Sequence, residues 1–414
     1  MLPATEAENL ILNLVTPLDS RIDQETVALA AAHGRILAAT VTSQLDFPHW
    51  DNSAMDGYAV RYEDVQSAPV ALALIEEIPA GRLPQQTIMA GQAARIFTGG
   101  MVPEGADTIV IQEDAERVGD QVTILMPPKP QAFVRHRGSF YKAGAALLKP
   151  GTVVGGPELA ALAAAQCTQV QVYRRPRVAI FSTGDELVTP EQPLQPGQIV
   201  DSNQVAIAAL LAQAGADPIP LGIVPDEPEA LRQTILTACE QADMVISSGG
   251  VSVGDYDYVD PILTDLEAEL HIRSVAVKPG KPLTVATLPG GEVSQPGARQ
   301  LLYFGLPGNP VSALVSFWRF VKPALQKLSG RPEGWQPVTV LANTLNDLKA
   351  SGQRETYLWG RLSLSSQGYN FELAAGGHSS GNLVNLAGTS GLAIVPVGTT
   401  EIVAGTTVRV MSLR

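Results

Sequence analysis

The chain has 414 residues, which is too many for one ordinary hydrophobic core, so two to four domains are expected. Its formal net charge of -13 excludes a general surface for nucleic acid or an anionic membrane, but not a local lysine cluster that binds an anion. Charged residues make up only 17% of the chain, and 38 glycines with 31 prolines indicate many turns and much β structure.

Cysteine, histidine and the N-terminal segment bear on metal chemistry and compartment. Cys167 and Cys239 lie far apart in Ala-rich segments, so we interpret them as buried thiols and not as a disulfide or metal pair. The five histidines have no zinc spacing. MLPATEAENLIL carries acids where a signal peptide needs basic residues, and no apolar run reaches the roughly 18 residues of a membrane helix. We expect a cytoplasmic protein that binds neither membranes nor nucleic acid.

The N-terminal part combines helical and strand-like patterns. Thr5 and Glu8 have capping-box spacing before an apolar helical stripe, and a second helix is predicted from Glu25 to Ala32. Short β-like segments separated by Gly and Pro follow, and GPELAALAAAQC then predicts another helix that starts at Pro157. We expect the segments on either side of the β-rich insert to pack together as one discontinuous helical domain.

Strands and helices alternate from Arg177 onwards. The strands include PRVAIFSTG and DMVISSGG, the helices include NQVAIAALLAQAG, and VSALVSFWRFVKPALQKL is the closing helix. This alternation predicts a parallel sheet covered on both faces. The segments from VTVLANTL to TTVRVMSL then predict a small β-barrel or sandwich.

Five unusual loops follow the predicted strands. They read STGDEL, VPDEP, SSGGVSVGDYDY, KPGKP and LPGNPVS. Because ligands bind beyond the carboxyl ends of parallel strands, we expect these loops to meet at one edge of the sheet. Each loop also has a simpler explanation, since Gly and Pro mark turns and acids cap helices. Their convergence is what indicates a ligand site.

The loops carry groups that suit an anionic ligand and a hard cation. Small residues and consecutive N–H groups in SSGG suit a phosphate or pterin, and Asp255 and Asp257 suit Mg²⁺ unless they cap a helix. Lys278 and Lys281 on a stiff Pro-Gly turn suit an oxyanion, unless they are simply solvated. A helix that begins near Val311 would point free N–H groups into the same cleft. The absence of GxxxxGK[ST] and GxGxxG argues against a Walker P-loop and dinucleotide redox chemistry.

These motifs resemble those of a known family. STGDEL, SSGGVSVGDYDY, KPGKP and FGLPGNPVSA are similar to the motifs of MoeA-type molybdopterin molybdenumtransferases, which are related to the gephyrin E domain. FPHWDNSAMDGYAV and RIFTGGMVPEGADTIV resemble the family's second-domain motifs, and the similarity runs essentially the full length.

The resemblance implies an elongated homodimer with α/β and β-rich domains. The implied domains are a discontinuous helical domain (1–44 plus 138–172), a β-rich insert (45–137), a MogA-like doubly wound α/β molybdopterin-binding domain (173–328) and a C-terminal β-barrel (329–414). The α/β domain of one subunit and domains of the other would form the cleft. Adenylylated molybdopterin and molybdate would be the substrates, and AMP would be released with Mg²⁺. Molybdopterin adenylyltransferase and molybdoenzyme apoproteins would be transient partners.

The same resemblance implies roles for individual residues. The implied catalytic residues are Asp56, Thr98, Glu186, Asp226 and Asp257. Among them, Asp226 and Asp257 would be the metal ligands. The implied substrate-binding residues are Ser248, Gly249, Gly250, Ser252, Lys278, Lys281, Pro307, Asn309, Pro310, Ser312, Arg354, Ser379 and Ser380.

Two other functions remain open at this point. The first is molybdopterin adenylyltransferase, which shares the α/β domain, although the additional domains argue against it. The second is a scaffold or cofactor-storage protein that binds the pterin without turnover.

Overall fold

The computed structural model describes residues 1–250, 258–289 and 300–413. Its α-helices are α1 (Ala4–Leu14), α2 (Gly156–Ala164), α3 (Asn203–Gln213), α4 (Pro228–Gln241), α5 (Val259–Asp265), α6 (Pro310–Ser316) and α7 (Lys322–Leu328). A π-helical turn, Phe317–Val321, joins α6 to α7. Within these described ranges, no helix has the length and apolar character needed to cross a membrane.

A six-stranded sheet organises the α/β domain. Its strands are β1 (Arg177–Thr183), β2 (Asp217–Val224), β3 (Met244–Ser248), β4 (Glu269–Ser274), β5 (Pro282–Leu288) and β6 (Leu301–Leu306). They lie in the order β2-β1-β3-β6-β5-β4. The chain passes from β1 outwards to β2 and then crosses to β3 on the other side of β1. The carboxyl ends of β1 and β3 therefore flank a topological switch point, where open α/β sheets bind ligands.

The sheet is covered on both faces, as predicted. Val178 and Ile180 of β1 belong to a core that includes residues of α1, α3, α6 and α7. The intervening Ala179 and Phe181 pack into a second core with residues of α4 and α5. Alternate side chains of a strand point to opposite faces, so a strand buried on both sides has the continuous apolar pattern seen in β1.

The central sheet is parallel, as predicted, except at one edge. Strands β2, β1, β3 and β6 are parallel, but β5 is antiparallel to both β6 and β4. KPGKP is the physical reason, because a tight turn can join antiparallel strands, whereas a parallel pair needs a crossover of about a dozen residues. Strand β4 still runs in the direction of β6, so KPGKP lies at the same carboxyl edge as the other loops.

Helix α1 differs from its predicted capping and packing. Pro3 occupies the N-cap position and no side chain caps the helix, so the capping box predicted from Thr5 and Glu8 does not form. Glu8 is buried instead, with its carboxylate 2.7 Å from Arg319 of the π-helical turn. A buried carboxylate needs a charged partner more than a helix end needs a cap, because an unpaired buried charge costs far more.

The helix predicted from Glu25 to Ala32 is wrong. Residues Gln24–Ala28 form a strand that pairs antiparallel with Gln169–Tyr173, and a short 3-10 turn follows at Leu29–Ala31. The distant strand supplies hydrogen bonds and apolar contacts, and these override a weak local helical preference.

Strands and α2 therefore join the segments on either side of the insert. Val41–Thr42 also pairs with Ala146–Leu148, and Leu37, Val154 and Val172 share one small core. Helix α1 belongs to the core of the α/β domain instead. The division into four domains at the stated boundaries stays a prediction.

The insert contains a second six-stranded sheet. In spatial order its strands are Thr108–Ile111, Gly57–Val60, Gln92–Ile96, Val70–Ile78, Gln121–Ile124 and Ala115–Val118. All neighbouring pairs are antiparallel except Val70–Ile78 with Gln92–Ile96. The β-rich character predicted for this region is confirmed.

The C-terminal region forms a closed barrel, as predicted. Its strands are β7 (Thr339–Thr344), β8 (Glu355–Ser365), β9 (Gly368–Leu373), β10 (Gly391–Val395) and β11 (Thr407–Ser412). The order β8-β9-β7-β11-β10 closes on itself because β10 also pairs with β8. The short strand Val277–Lys278 adds to β8 and joins the barrel to the KPGKP turn.

Both cysteines are free thiols, but neither is fully buried. This corrects the interpretation as buried thiols. Partial burial nevertheless raises the pKa of the Cys239 thiol to about 11, so this thiol stays protonated and unreactive at neutral pH.

Candidate active site

A cleft of about 780 Å³ lies at the carboxyl edge of the central sheet, at the switch point between β1 and β3. All five unusual loops contribute to its wall, although KPGKP contributes only Pro282. The lining residues are Thr183, Gly184, Glu186, Ile199, Val200, Ser202, Asp226, Gly249, Gly250, Pro282, Pro307, Gly308, Asn309, Pro310, Gly381 and Leu383. The fold thus brings together loops that are far apart in the sequence.

Gly249 and Gly250 shape the floor of the cleft. Their φ angles are 94° and 64°, in the region that favours glycine. A Cβ on Gly249 would lie 2.5 Å from the carbonyl oxygen of Thr183, and one on Gly250 would lie 2.9 Å from the Thr183 hydroxyl. Both positions therefore need glycine, and the exposed backbone leaves room for a phosphate or pterin to approach.

We expect Gly249→Ala to reduce turnover at least about tenfold, because relieving the overlap with the Thr183 carbonyl must displace one wall of the cleft. Gly398→Ala is the matched control. Gly398 has a φ of 87°, but no atom lies within 4 Å of the place that a Cβ would occupy. The control should show a similar backbone penalty, about 1 kcal/mol of unfolding free energy, without loss of turnover. Equal activity loss in both variants would refute the role of the overlap.

Asn203, which the sequence analysis did not single out, ties two cleft loops together. Its side-chain amide donates to the Ser248 hydroxyl at 2.7 Å and to the Gly308 carbonyl at 2.8 Å. Ser248, predicted to bind the substrate, is buried and lies behind the cleft wall. The only local signal for Asn203 was its place at the start of a helix, which a capping role would explain equally well.

Two acids, Glu186 and Asp226, line the cleft, and Asp185 lies near Asp226. The Asp226 N–H donates to Asp185 Oδ1 at 3.1 Å, and Asp185 adjoins Glu186. Burial raises the pKa of Asp226, and repulsion from Asp185 and Glu186 raises it further by a smaller amount. Glu186 and Asp226 were predicted at this edge, but Asp185 was not.

Asp185, Glu186 and Asp226 do not by themselves form the predicted metal site. Asp257 and Ser252 lie outside the described residues, as does Asp255. Across the described ranges, no group of three or more His, Cys, Asp or Glu side chains is arranged to hold a metal ion. The repulsion around Asp226 is nevertheless of the kind that a divalent cation relieves.

The N-terminus of α6 differs from its prediction. The helix begins at Pro310, which has no N–H, and the N–H of Val311 donates to the Ser380 carbonyl at 3.1 Å. The cleft therefore does not receive the full set of free N–H groups that was expected. Ser312 is buried and is absent from the cleft lining. Pro307, Asn309 and Pro310 do line the cleft.

The GGHSSGNL segment of the barrel domain reaches the same place. The Ser380 carbonyl accepts the Val311 N–H, and the adjoining Gly381 lines the cleft. Ser379 accepts the N–H of Asn382 through its own carbonyl at 3.0 Å and is exposed. The last domain therefore contributes one wall of the cleft.

KPGKP brings cationic groups to the edge of the cleft. Lys278 and Lys281 are exposed, and neither belongs to the lining, whereas Pro282 does. Arg354 of the barrel domain donates to the Val277 carbonyl at 3.1 Å, directly before Lys278. One turn and one barrel residue thus concentrate positive charge beside the acid-bearing cleft.

Asp56 and Thr98 meet each other but do not line the cleft. Asp56 Oδ1 accepts the Thr98 N–H at 2.7 Å and the Thr98 hydroxyl at 2.8 Å. These hydrogen bonds, with the charge of Arg95, lower the pKa of Asp56 and keep it ionised at neutral pH. Both residues belong to the insert. Thr98 holds the Asp56 carboxylate in a fixed position that is separate from the cleft of the same chain.

Several hydroxyl and amide atoms around the cleft have no partner among the described residues. They are Ser182 Oγ, Thr183 Oγ1 and Asn203 Oδ1, and all three atoms are buried. Buried polar atoms normally find a hydrogen bond, so this concentration at one edge is consistent with a site that binds a polar ligand.

The chain is a multidomain α/β protein with a polar cleft at a switch point of its central sheet. Residues 2–165 match the MoeA N-terminal region (domains I and II), residues 179–327 match a probable molybdopterin binding domain, and residues 342–413 match the MoeA C-terminal region (domain IV). The chain belongs to the MoeA family, which confirms the resemblance seen in its motifs.

Relatives match along nearly the whole chain. A molybdopterin molybdenumtransferase from a Nostoc species is 58% identical over 412 residues, which are 99% of this chain and 93% of the relative. One from Haemophilus influenzae is 36% identical over 83% of this chain and 82% of its own length. The crystal structure of a molybdopterin biosynthesis moeA protein from Pyrococcus horikoshii superposes over 100% of both chains, with a TM-score of 0.82 and 28% identity.

Proposed function

We propose that this protein is a molybdopterin molybdenumtransferase, which inserts molybdenum from molybdate into adenylylated molybdopterin and releases AMP. The names of its relatives support the transferase activity. The single observation that carries the proposal is the cleft, where a glycine floor, a carboxylate cluster and a cationic turn converge.

The cationic edge suits the molybdate dianion. Lys278 and Lys281 supply ammonium groups on a proline-stiffened turn, and Arg354 adds a guanidinium that is anchored to the turn by its bond to Val277. Charge-assisted hydrogen bonds to oxyanions are the strong ones, and a rigid turn loses little entropy when it forms them. These residues attract the oxyanion and orient it towards the pterin dithiolene.

The glycine floor and the acids suit the phosphate end of the substrate. Gly249 and Gly250 let the phosphoanhydride approach the backbone. The carboxylates of Asp226, Glu186 and Asp257 supply the hard oxygen donors that Mg²⁺ prefers. Bound there, Mg²⁺ would offset the charge that develops on phosphate oxygens as the bond to AMP breaks. Water attacks the phosphoanhydride, the P–O bond breaks, and AMP leaves while the pterin keeps its phosphate. The dithiol displaces one oxygen of molybdate as water, so that two Mo–S bonds form and molybdenum keeps its oxidation state.

A homodimer would complete the site. Asp56 and Thr98 form an ordered carboxylate on the insert but do not line the cleft of their own chain. We infer that the partner subunit brings its insert to this cleft. Molybdopterin adenylyltransferase as the supplier of substrate, molybdoenzyme apoproteins as recipients and a cytoplasmic location belong to the same proposal.

The test is AMP release from adenylylated molybdopterin in the presence of molybdate and Mg²⁺. The wild-type protein should release AMP, and Asp257→Ala should keep its fold and lose most of the turnover. Binding of the substrate without AMP release would favour the scaffold or storage function. Consumption of ATP with free molybdopterin would favour the adenylyltransferase. Undiminished activity of Asp257→Ala would remove this residue from the mechanism.

Lys281→Ala should raise the molybdate concentration needed for half-maximal activity by about tenfold, because one charge-assisted contact is lost. The maximal rate should change much less, since saturating molybdate restores occupancy. Lys149→Ala is a suitable control, because Lys149 is also exposed but lies in the N-terminal part of the chain. An unchanged molybdate requirement in Lys281→Ala would assign this lysine a structural role only.

A further inference from the structure

A second polar groove lies at the amino edge of the central sheet, opposite the candidate active site. Two adjoining cavities of about 490 and 110 Å³ share five lining residues, which are Trp318, Lys322, Gln326, Arg331 and Leu413. Arg175, two residues before β1, and Gly215, two residues after α3, line the larger cavity. Because β1 has seven residues, the groove is about 20 Å from the cleft at the other end of that strand.

The charge of this groove is opposite to that of the whole protein. His33, Arg175, Lys322 and Arg331 line the larger cavity, and the lining of the two cavities contains no Asp or Glu. The chain as a whole has 41 acidic against 28 basic side chains. Lys322 begins α7 and Arg331 lies shortly after its end, whereas Arg175 precedes β1. Tertiary structure therefore brings Arg175 to the other two cations.

These cations have no carboxylate partner in the part of the chain that the structure describes. No ion pair there involves Arg175, Lys322 or Arg331, in contrast to Arg174, which pairs with Asp23 and Asp243. Burial lowers the pKa of the Lys322 ammonium, and repulsion from Arg331 lowers it further by a smaller amount. Two cations that approach each other without a counter-ion are unfavourable, and a bound anion removes that penalty.

The groove is also ordered before any ligand binds. The Trp335 indole N–H donates to the Arg331 carbonyl at 2.7 Å, which fixes the backbone that carries the guanidinium. Gln326, in the amide orientation that satisfies both neighbours, donates to the Trp335 carbonyl at 2.9 Å and accepts from Arg331 Nη1 at 3.3 Å. Trp318, which is only partly buried, adds an aromatic wall beside Lys322.

We propose that this basic groove binds the phosphate group of a small ligand, with Lys322 and Arg331 as the principal contacts and Arg175 as a further cation in the same cavity. A guanidinium and an ammonium provide the donors that phosphate oxygens require. The groove is large enough for inorganic phosphate or for a phosphate monoester whose ring lies against Trp318. The site is separate from the cleft of the proposed function and does not depend on it.

The test uses phenyl phosphate, titrated into the full-length protein at constant ionic strength while tryptophan fluorescence is recorded. Two of the four tryptophans, Trp318 and Trp335, line the groove, so binding should change the signal in a saturable way. The double variant Lys322→Met/Arg331→Gln should bind at least about tenfold more weakly. Lys322→Arg keeps the charge and should bind within about threefold of the wild type.

A second double variant, Lys278→Met/Lys281→Met, separates the groove from the cleft, because it removes cations at the cleft edge only. It should leave the fluorescence titration unchanged. Inorganic phosphate should displace phenyl phosphate. Equal affinity of the two would identify the phosphate group as sufficient, whereas a tenfold preference for phenyl phosphate would identify an organic ligand, and either result supports the site.

Three results would overturn the proposal. The first is no saturable signal for phenyl phosphate together with no heat of phosphate binding in calorimetry. The second is unchanged affinity in Lys322→Met/Arg331→Gln, or in Lys322→Met alone if the double variant does not fold. The third is loss of the signal in Lys278→Met/Lys281→Met, which would assign the binding to the cleft.

Discussion

Mixing two inactive variants, Asp56→Ala and Asp226→Ala, should restore about one quarter of wild-type activity. Each variant alone should lose at least about a hundredfold in turnover, because one removes a carboxylate of the insert and the other a carboxylate of the cleft. If each site of a homodimer combines the cleft of one chain with the insert of its partner, a mixed dimer has one intact site. Random exchange makes about half of the dimers mixed. Since each mixed dimer has one intact site out of two, about one quarter of all sites are intact.

A second mixture serves as the control. Asp56→Ala and Thr98→Val both alter the insert, where the two side chains are hydrogen-bonded at 2.8 Å. Every site of a mixed dimer then has one defective insert, so no activity should return. Activity is measured as AMP release after the subunits have been unfolded together and refolded. If Asp56→Ala and Asp226→Ala fail to complement while the refolded wild type is active, the insert does not act in trans.

Arg319→Met should lower the free energy of unfolding by about 3–5 kcal/mol, because it leaves the buried Glu8 carboxylate without its partner. Arg319 lies 2.7 Å from Glu8, and each of these side chains is only 9% exposed. Arg319 Nε also donates to the Tyr357 hydroxyl at 2.8 Å, and Tyr357 in turn donates to Glu355. The network therefore connects α1, the π-helical turn and the first residues of β8.

Urea denaturation followed by circular dichroism would measure this loss. The double variant Glu8→Leu/Arg319→Met removes both charges, and it should recover most of the stability lost in Arg319→Met. Arg21→Ala is the control for an exposed pair, since Arg21 is 85% exposed and its bond to Asp19 should contribute little to the free energy of unfolding. A loss of that small size in Arg319→Met would mean that water reaches the Glu8 carboxylate.

The same network has a consequence for the cleft. Glu355 lies next to Arg354, and the Glu355 N–H donates to the Ala276 carbonyl at 3.0 Å. The barrel is thus held against the turn that carries Lys278. Burial raises the pKa of Tyr357, so its hydroxyl remains a donor throughout the neutral range and the connection is maintained.

Much of the candidate site could be predicted from the sequence because its signals are local. A glycine pair, a proline-stiffened turn and acids after a strand are each encoded within a few residues. Strand and helix periodicity then indicates that the carboxyl edge gathers them. For this reason the predicted cleft residues include four that line the cleft in the structure, namely Asp226, Gly249, Gly250 and Pro307. Asn203 was not predicted, because the groups that it joins, Ser248 and Gly308, are distant in the sequence.

Short-range sequence patterns were sufficient to predict the family, the α/β and β-rich character of the domains and the loops that form the cleft, because such patterns encode burial and turn geometry. Only the packed fold established the partner of Glu8, the strand at Gln24–Ala28 and the position of Arg175 in the same groove as Lys322. In each of these cases the deciding contact is made by a residue far away in the chain. A local pattern states that a group must be buried or paired, but only the packed fold selects the group that satisfies it.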